Sequence, residues 1–445
     1  MTNNIKQTPR FLAIELLTRI EKQGTYSNLG LNQILQQKNL TKKDANLLTT
    51  LVYGVLQHKL TLEYWLTPFI AKPQKLEPWV KQLLLSALYQ MEFLDKIPKR
   101  AIFNETIEIA KVKGHGGIRK LVTGILHAID RQGLPSFDKL AVKQRLSIET
   151  STPLWLVEEL WQEVGQEKTT KILLSINQNP LQSVRLNANH AKKEILVQLD
   201  KDNLSWQESP VTPQALRIKG GFAPQSEAFK QGLITVQDES AMLAVEALEV
   251  KPNDIVLDAC AAPGGKTIQI ATQLIDGYVV ALDIHQHKVG LIEQNARRQG
   301  VSNKVKGLKL DARQSNQYFQ ANKFDKILVD APCSGLGLLR RKPEIKYAKS
   351  LADSQNLHRI QVEILLAVAD TLKPGGTLTY STCTILNTEN QSVVTEFLTQ
   401  RPDFEQIKTK TRYNLKQERT QLGLTIYPDD YMTDGFFIAT LRKRK

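Results

Sequence analysis

Ile255-Val256-Leu257-Asp258-Ala259-Cys260-Ala261-Ala262-Pro263-Gly264-Gly265-Lys266-Thr267 reads as a strand, a turn of small residues and the start of a helix. That succession opens a strand–helix–strand unit of a parallel sheet. Two familiar phosphate loops fail on it. A Walker loop needs glycine five residues ahead of its second glycine, where this chain has Cys260. A dinucleotide fingerprint needs three spaced glycines, and only Gly264-Gly265 are present. A plain turn between strand and helix remains as the bland reading.

The residues downstream discriminate. Val279-Val280-Ala281-Leu282 ends in Asp283, 18 residues after Gly265. A carboxylate there can accept hydrogen bonds from both hydroxyls of a ribose. Leu308-Lys309-Leu310 ends in Asp311, placed for an adenine amino group, and Lys326-Ile327-Leu328-Val329 ends in Asp330. Asp258, Asp283, Asp311 and Asp330 thus follow successive strands. Such a set repels phosphate. It suits a ribose, an adenine and a positive sulfonium, which S-adenosyl-L-methionine combines.

Strand candidates Ile255 to Leu257, Tyr278 to Leu282, Val305 to Leu310, Lys326 to Val329 and Gly376 to Tyr380 alternate with helices such as Leu357 to Leu372. This predicts a parallel, doubly wound α/β sheet from about Gly232 onward. Ahead of it, residues 150–230 read as a small α+β module. Its helices are expected near Trp155–Trp161, capped at Ser151 or Thr152, and over Ala191–Asp200. Its strands are expected at Ser183–Asn187 and Ala215–Ile218. Residues 10–135 read as all helical. Phe11, Ile14, Leu17 and Ile20 recur at helical spacing, as do Leu47 to Leu56 and Val80 to Met91. Pro68, Pro73, Pro78 and Pro98 punctuate these helices, and Pro135 marks a linker.

The chain has 445 residues, of which 41% are hydrophobic, enough for two or three domains with proper cores. No run approaches the length of a membrane span, and Met1 to Arg10 lacks an apolar signal region. A cytosolic protein away from membranes is expected. The formal net charge is +14 and the isoelectric point about 9.4, which favours a polyanionic partner. Residues 1–140 hold 20 Lys or Arg against 11 Asp or Glu, a net of +9. Arg442-Lys443-Arg444-Lys445 reads as a solvated end. No metal is expected.

The three cysteines all follow strand candidates. Cys260 opens the turn of the first loop. Cys333 lies in Asp330-Ala331-Pro332-Cys333, and Cys383 in Ser381-Thr382-Cys383. Free cysteine is often a buried, inert residue. A disulfide is not expected without an oxidising compartment. The chemical alternative is that Cys333 and Cys383, at the ends of parallel strands, serve one site.

With these motifs in hand, the chain resembles the RNA cytosine-5 methyltransferase family. Cys260-Ala261-Ala262-Pro263-Gly264-Gly265-Lys266-Thr267 matches its cofactor loop. Asp330-Ala331-Pro332-Cys333-Ser334-Gly335 and Ser381-Thr382-Cys383-Thr384 match its two cysteine motifs. Gln237-Asp238-Glu239-Ser240 and Asp434-Gly435-Phe436-Phe437 look like its boundary markers. The helical region ahead is similar to the Sun/Fmu-type bacterial enzymes of small-subunit ribosomal RNA. The resemblance implies a multidomain chain. A NusB-like RNA-binding bundle would span residues 1–140, and a degenerate RNA-recognition (RRM-like) α+β module residues 141–231. A Rossmann-like class I methyltransferase domain would span residues 232–445. No aromatic signature for base stacking is seen on the module's strands.

The implied chemistry explains the two thiols. C5 of cytosine is a poor nucleophile until a thiolate adds to C6. C5 then takes the methyl group, a base removes the C5 proton, and elimination frees the enzyme. By the resemblance Cys383 is the nucleophile, Cys333 assists product release, and Asp330 hydrogen-bonds the base near N3 and N4. Cytosine-5 DNA methyltransferases instead use the Pro-Cys thiol, so motif order alone leaves the roles open. The implied partner is a single-stranded or flipped cytosine of 16S ribosomal RNA, and the implied state a monomer. Arg340-Arg341-Lys342 reads either as a clamp for flanking phosphates or as an exposed basic loop. Two rivals stay open: the same chemistry on another RNA, and an inactive RNA-binding assembly factor.

Overall fold

The computed structural model describes residues 5–23, 27–72 and 76–445. Pro73 and Met1 to Asn4 lie outside them. The chain divides into two compact units.

The first unit holds residues 1–177 and takes back a later segment, residues 339–348. Its helices are α1 Pro9–Gln23, α2 Ser27–Gln37, α3 Lys42–Gln57, α4 Lys59–Leu66, α5 Pro78–Phe93, α6 Lys99–Lys113, α7 Gly116–Gln132, α8 Val142–Glu149 and α9 Leu154–Ser175. The helical stripes of the sequence form the core: Leu17, Leu48, Leu51, Val52, Leu84 and Leu88 are fully or almost fully buried. Pro78 starts α5 where its missing N–H costs nothing, and Pro98 precedes α6. Helix α9 lacks the expected side-chain cap at Ser151 or Thr152; Pro153 holds that position, and Gly165 breaks the helix at φ 77°. Residues 133–141 are not a loose linker. Phe137 packs against Tyr64 and Trp65, and the Tyr64 hydroxyl donates to the Ser136 carbonyl at 2.9 Å.

The second unit holds residues 178–338 and 349–445. Its small antiparallel sheet has the order β2-β3-β1-β4, with β1 Gln182–Leu186, β2 Ser205–Glu208, β3 Ala215–Gly220 and β4 Ile234–Val236. Helix α10, Lys192–Lys201, packs Ile195 and Leu199 onto it. The fourth strand lies beyond position 231 and pairs with β1.

The large sheet has the order β10-β12-β9-β8-β5-β6-β7, with β11 paired to β12. Its strands are β5 Ile255–Asp258, β6 Tyr278–Asp283, β7 Val305–Lys309, β8 Phe324–Asp330, β9 Leu372–Thr382, β10 Phe404–Ile407, β11 Leu424–Ile426 and β12 Phe436–Lys443. Strands β5 to β9 are mutually parallel, as the sequence predicts. The remaining three are antiparallel, so the sheet is mixed rather than wholly parallel. Helices α11 Glu239–Leu248, α12 Gly265–Ala271, α13 Gln286–Arg298, α14 Leu351–Ala369 and α15 Gln391–Gln400 accompany it. Helix α14 ends before Leu372, which belongs to β9. Strand order reverses between β5 and β8. In open α/β sheets the crevice outside such a reversal is where ligands bind. Among the described residues no helix is long and apolar enough to cross a membrane.

Candidate active site

The loops after β5, β6, β8 and β9 meet at that crevice. In the first, Gly264 adopts φ 101°, and a Cβ there would sit 3.1 Å from the Ile292 backbone on α13. Only glycine suits this turn. The turn launches α12, which carries Lys266 and Thr267. Thr267 donates its hydroxyl to Asp258 Oδ2 at 2.6 Å, and Asp258 is fully buried at the end of β5. Burial pushes its carboxyl up to about 7, against the pull of Thr267.

Lys266 reaches across to the neighbouring strand. Its Nζ lies 2.8 Å from Asp330 Oδ2, and Asp330 Oδ1 accepts from the Ser381 hydroxyl at 2.9 Å. Burial would lower the Lys266 ammonium, but Asp330 outweighs it and holds the group charged, with the Cys383 sulfur acting in the same sense.

Cys333 and Cys383 come together. Their sulfurs are 3.3 Å apart, both thiols are free, and both are half-buried. Parallel pairing of β8 with β9 sets Asp330 beside Ser381, so each cysteine leaves an adjacent strand end. Contact with Cys383 and then burial raise the Cys333 thiol well above its ordinary range, and Glu389 adds to this. Glu389 is fully buried and accepts from the Ser334 amide at 2.8 Å and from Gln361 at 3.2 Å. Gln361 also donates to the Pro332 carbonyl at 2.9 Å. Gly337 donates to the Cys383 carbonyl at 2.9 Å, and a Cβ there would lie 2.0 Å from the Gly435 oxygen. The cysteine loop is therefore gripped at Pro332, Ser334 and Gly337.

The third cysteine is set apart by its charge environment. Burial, then Asp258, Asp330, Asp283 and Asp311, push the Cys260 thiol well above its usual range. All four strand-end aspartates thus act on this one thiol. Asp283 accepts from the His285 amide at 2.8 Å, and the next residue, Ile284, leaves 53% of its surface exposed. Asp311 is held by its own turn: Arg313 donates to it from the backbone at 3.0 Å and from the guanidinium at 2.7 Å, which lowers its carboxyl. The two boundary motifs also meet. Asp238 caps α11, and its Oδ1 accepts from the Asp434 amide at 3.2 Å.

Arg340-Arg341-Lys342 is a correction. These residues belong to the segment taken into the helical unit. Arg340 is buried and donates to the Ser175 carbonyl at 3.0 Å, while Arg341 and Lys342 are not fully exposed. They form no exposed basic loop, because the residues after them are anchored: Lys346 donates to the Gln57 carbonyl at 3.0 Å and Tyr347 to the Leu56 carbonyl at 2.9 Å. Sequence reasoning also missed Glu389, Gln361 and Arg185. Arg185 had a signal, a charged residue inside a short alternating strand.

Comparisons with known proteins agree with this architecture. A model of the 16S rRNA methyltransferase RsmB/F matches residues 245–442. The NusB family matches residues 7–131, and the ferredoxin-like domain of RsmF/B-like methyltransferases matches residues 152–224. The probable ribosomal RNA small subunit methyltransferase B of Bacillus subtilis is 43% identical, with 99% of each chain covered. The chain belongs to this ribosomal RNA methyltransferase family. Ribosomal RNA small subunit methyltransferase B of Klebsiella pneumoniae is 33% identical, with 98% of each chain covered. The crystal structure of PH0851 is 25% identical with a TM-score of 0.82, covering 100% of this chain and 99% of that one. The family carries the three parts read from the sequence: a NusB region, a small ferredoxin-like α+β domain and an α/β methyltransferase domain.

Proposed function

We propose that this family member transfers a methyl group from S-adenosyl-L-methionine to C5 of a cytosine in 16S ribosomal RNA. The observation that carries the reading is the pair of free thiols, Cys333 and Cys383, 3.3 Å apart beside the Lys266–Asp330 ion pair. The acidic strand ends fit the cofactor. Aspartates around Cys260 disfavour phosphate and favour a cation, and exposed Ile284 beside Asp283 offers an apolar seat for a base. Residues 260–266, Asp283, Asp311 and Asp330 would hold it, and it would supply an electrophilic methyl on sulfonium.

The chain's own residues do the rest. Cys383 adds to C6 of the base. Asp330, held by Lys266 and Ser381, faces the base. Cys333, kept as a thiol by Cys383, by burial and to a lesser extent by Glu389, takes part in product release. We take residues 1–140, 141–231 and 232–445 as the bundle, module and catalytic parts, with β4 carrying the module's sheet past 231, and a monomer in the cytoplasm as the working state. The test supplies radiolabelled cofactor and unmethylated 16S ribosomal RNA, then maps product by bisulfite sequencing. No 5-methylcytosine in that RNA would refute the substrate.

The bundle's charge supports RNA docking. Arg119 and Lys120 are exposed at the start of α7. Replacing both with Gln should weaken RNA binding and flatten its salt dependence by roughly one to two in the log–log slope, since each phosphate contact releases about one counterion. Titrations at several salt concentrations check this.

A further inference from the structure

We infer that Arg185, on the small antiparallel sheet, is a positioning residue for the cofactor loop; this rests on the reading of that loop as the S-adenosyl-L-methionine site. Arg185, the fourth residue of β1, is 2% exposed. Its Nη1 donates to the Gly265 carbonyl at 2.6 Å and to Gln237 Oε1. Gly265 is the first residue of α12, and its peptide leads straight into Lys266, whose ammonium holds Asp330 at 2.8 Å. The guanidinium therefore fixes the peptide plane from which Lys266 is aimed.

Gln237 ties the same knot. Its carbonyl accepts from the Ser183 hydroxyl at 2.8 Å, its amide donates to the Ser183 carbonyl at 3.3 Å, and its side chain donates to Gln269 Oε1 at 3.3 Å. Strand β1 and helix α12 are thus joined twice, through Arg185 and through Gln237.

A comparison on the same sheet argues against a merely structural role. Arg217, on β3, is also buried, but Glu239 neutralises it through two contacts of 2.9 Å, and it donates to the Tyr431 carbonyl at 2.7 Å. That is how this chain anchors the small sheet with a paired charge. Arg185 has no carboxylate partner among the described residues, and its Nη2 is buried without a hydrogen bond. Burial, and after it the like charge of Arg298, brings its guanidinium down to about 9. An unpaired buried charge is costly, and an apolar or amide side chain would pack there at less cost. The cost is understandable where the rigid, forked guanidinium sets the geometry of the loop. A module expected to meet RNA then also tunes the cofactor site.

The experiment uses full-length protein carrying Arg185→Gln, with Arg185→Lys as the milder variant and Arg217→Gln as the structural control. Calorimetry gives the dissociation constant for S-adenosyl-L-methionine, a filter assay that for 16S ribosomal RNA, and circular dichroism the melting temperature. Arg185→Gln should weaken cofactor binding at least tenfold, leave RNA binding within twofold, and raise the KM for cofactor. Arg185→Lys should keep the melting temperature and still weaken cofactor binding. Arg217→Gln should lower the melting temperature and leave cofactor affinity within twofold. Unchanged cofactor affinity in folded Arg185→Lys, or an equal loss of RNA affinity, would overturn the inference. If Arg185→Gln does not fold, the Lys variant alone decides. Wild-type protein that binds no cofactor would instead sink the reading of the loop.

Discussion

Two loops of this protein begin alike. After β5 the chain runs Asp258-Ala259-Cys260, and after β8 it runs Asp330-Ala331-Pro332-Cys333. Both follow parallel strands, both contain an Ala-Pro step, and both carry a thiol. Their chemistry diverges because of what stands across from them. Cys260 faces aspartates from four strand ends, whereas Cys333 meets a second sulfur. Asp258 is buried with a threonine hydroxyl for a partner, whereas Asp330 receives an ammonium. That ammonium, Lys266, comes from the first loop. The local sequence offers a carboxylate and a thiol twice; the neighbouring strand decides what each can do.

The largest effect that would sharpen this contrast is expected at Cys383. Cys383→Ala should abolish methyl transfer and leave cofactor binding within a few-fold, because the thiol lies at the end of β9 while the loop proposed to hold the cofactor follows β5. Calorimetry and a methylation assay separate the two quantities. Full activity in the variant would move the nucleophile elsewhere and erase the distinction between the loops.

Next in size is Cys333→Ala. If Cys333 assists release, the variant should stall with RNA bonded to Cys383. A denaturing gel should then show a slow, nuclease-sensitive band with turnover reduced. Normal turnover without the band would leave Cys333 no role beyond packing against Cys383.

Much of this was legible because it rests on local pattern. The strands β5, β6, β7, β8 and β9 are short apolar runs bounded by turns, and their carboxyl ends carry the aspartates and cysteines directly. What was hidden depends on distant pairing. Strand β2, Ser205-Trp206-Gln207-Glu208, is mostly exposed and shows no apolar alternation. Strand β12 is buried on both faces and antiparallel, which composition cannot distinguish from another parallel strand. The grip of Glu389 on Ser334 spans 55 positions, and that of Arg185 on Gly265 spans 80. The return of residues 339–348 to the helical unit removes the exposed-loop alternative for Arg340, since a basic triplet carries no mark of where its backbone is anchored.

A third test lies in the buried aspartate of the first loop. Asp258 sits at about 7 in the folded chain against 3.8 as a free side chain. A raised carboxyl means the folded state keeps a proton that the unfolded chain releases. Its contribution to stability is therefore present at low pH and is lost as pH climbs from about 4 to about 7. A rise of that size corresponds to on the order of 4 kcal/mol. Asp258→Asn should remove this loss, so the stability gap between variant and wild type should widen by most of that amount between about pH 4.5 and about pH 8. Denaturant titrations at the two pH values measure the gap. A constant gap would show that Asp258 ionises like an ordinary carboxylate and that burial does not set it apart.

The smallest expected effect is at Cys260, and it bears on the comparison most directly. The Cys260 thiol is disfavoured as a thiolate by burial and by aspartates, so it is a poor nucleophile despite standing in the same Asp-Ala context as Cys333. Cys260→Ala removes one half-buried thiol from a loop held through its backbone: the Ala261 amide donates to the Leu282 carbonyl at 2.8 Å and the Gly264 amide to the Ala261 carbonyl at 2.7 Å. Those bonds survive the substitution. Methylation should stay within about threefold of wild type, a change worth less than about 1 kcal/mol. Alkylation with a maleimide, followed by peptide mapping, should label Cys383 well before Cys260. Rapid labelling of Cys260, or loss of methylation in the alanine variant, would mean that its aspartate neighbours do not suppress the thiolate and that the two loops share more chemistry than their surroundings allow.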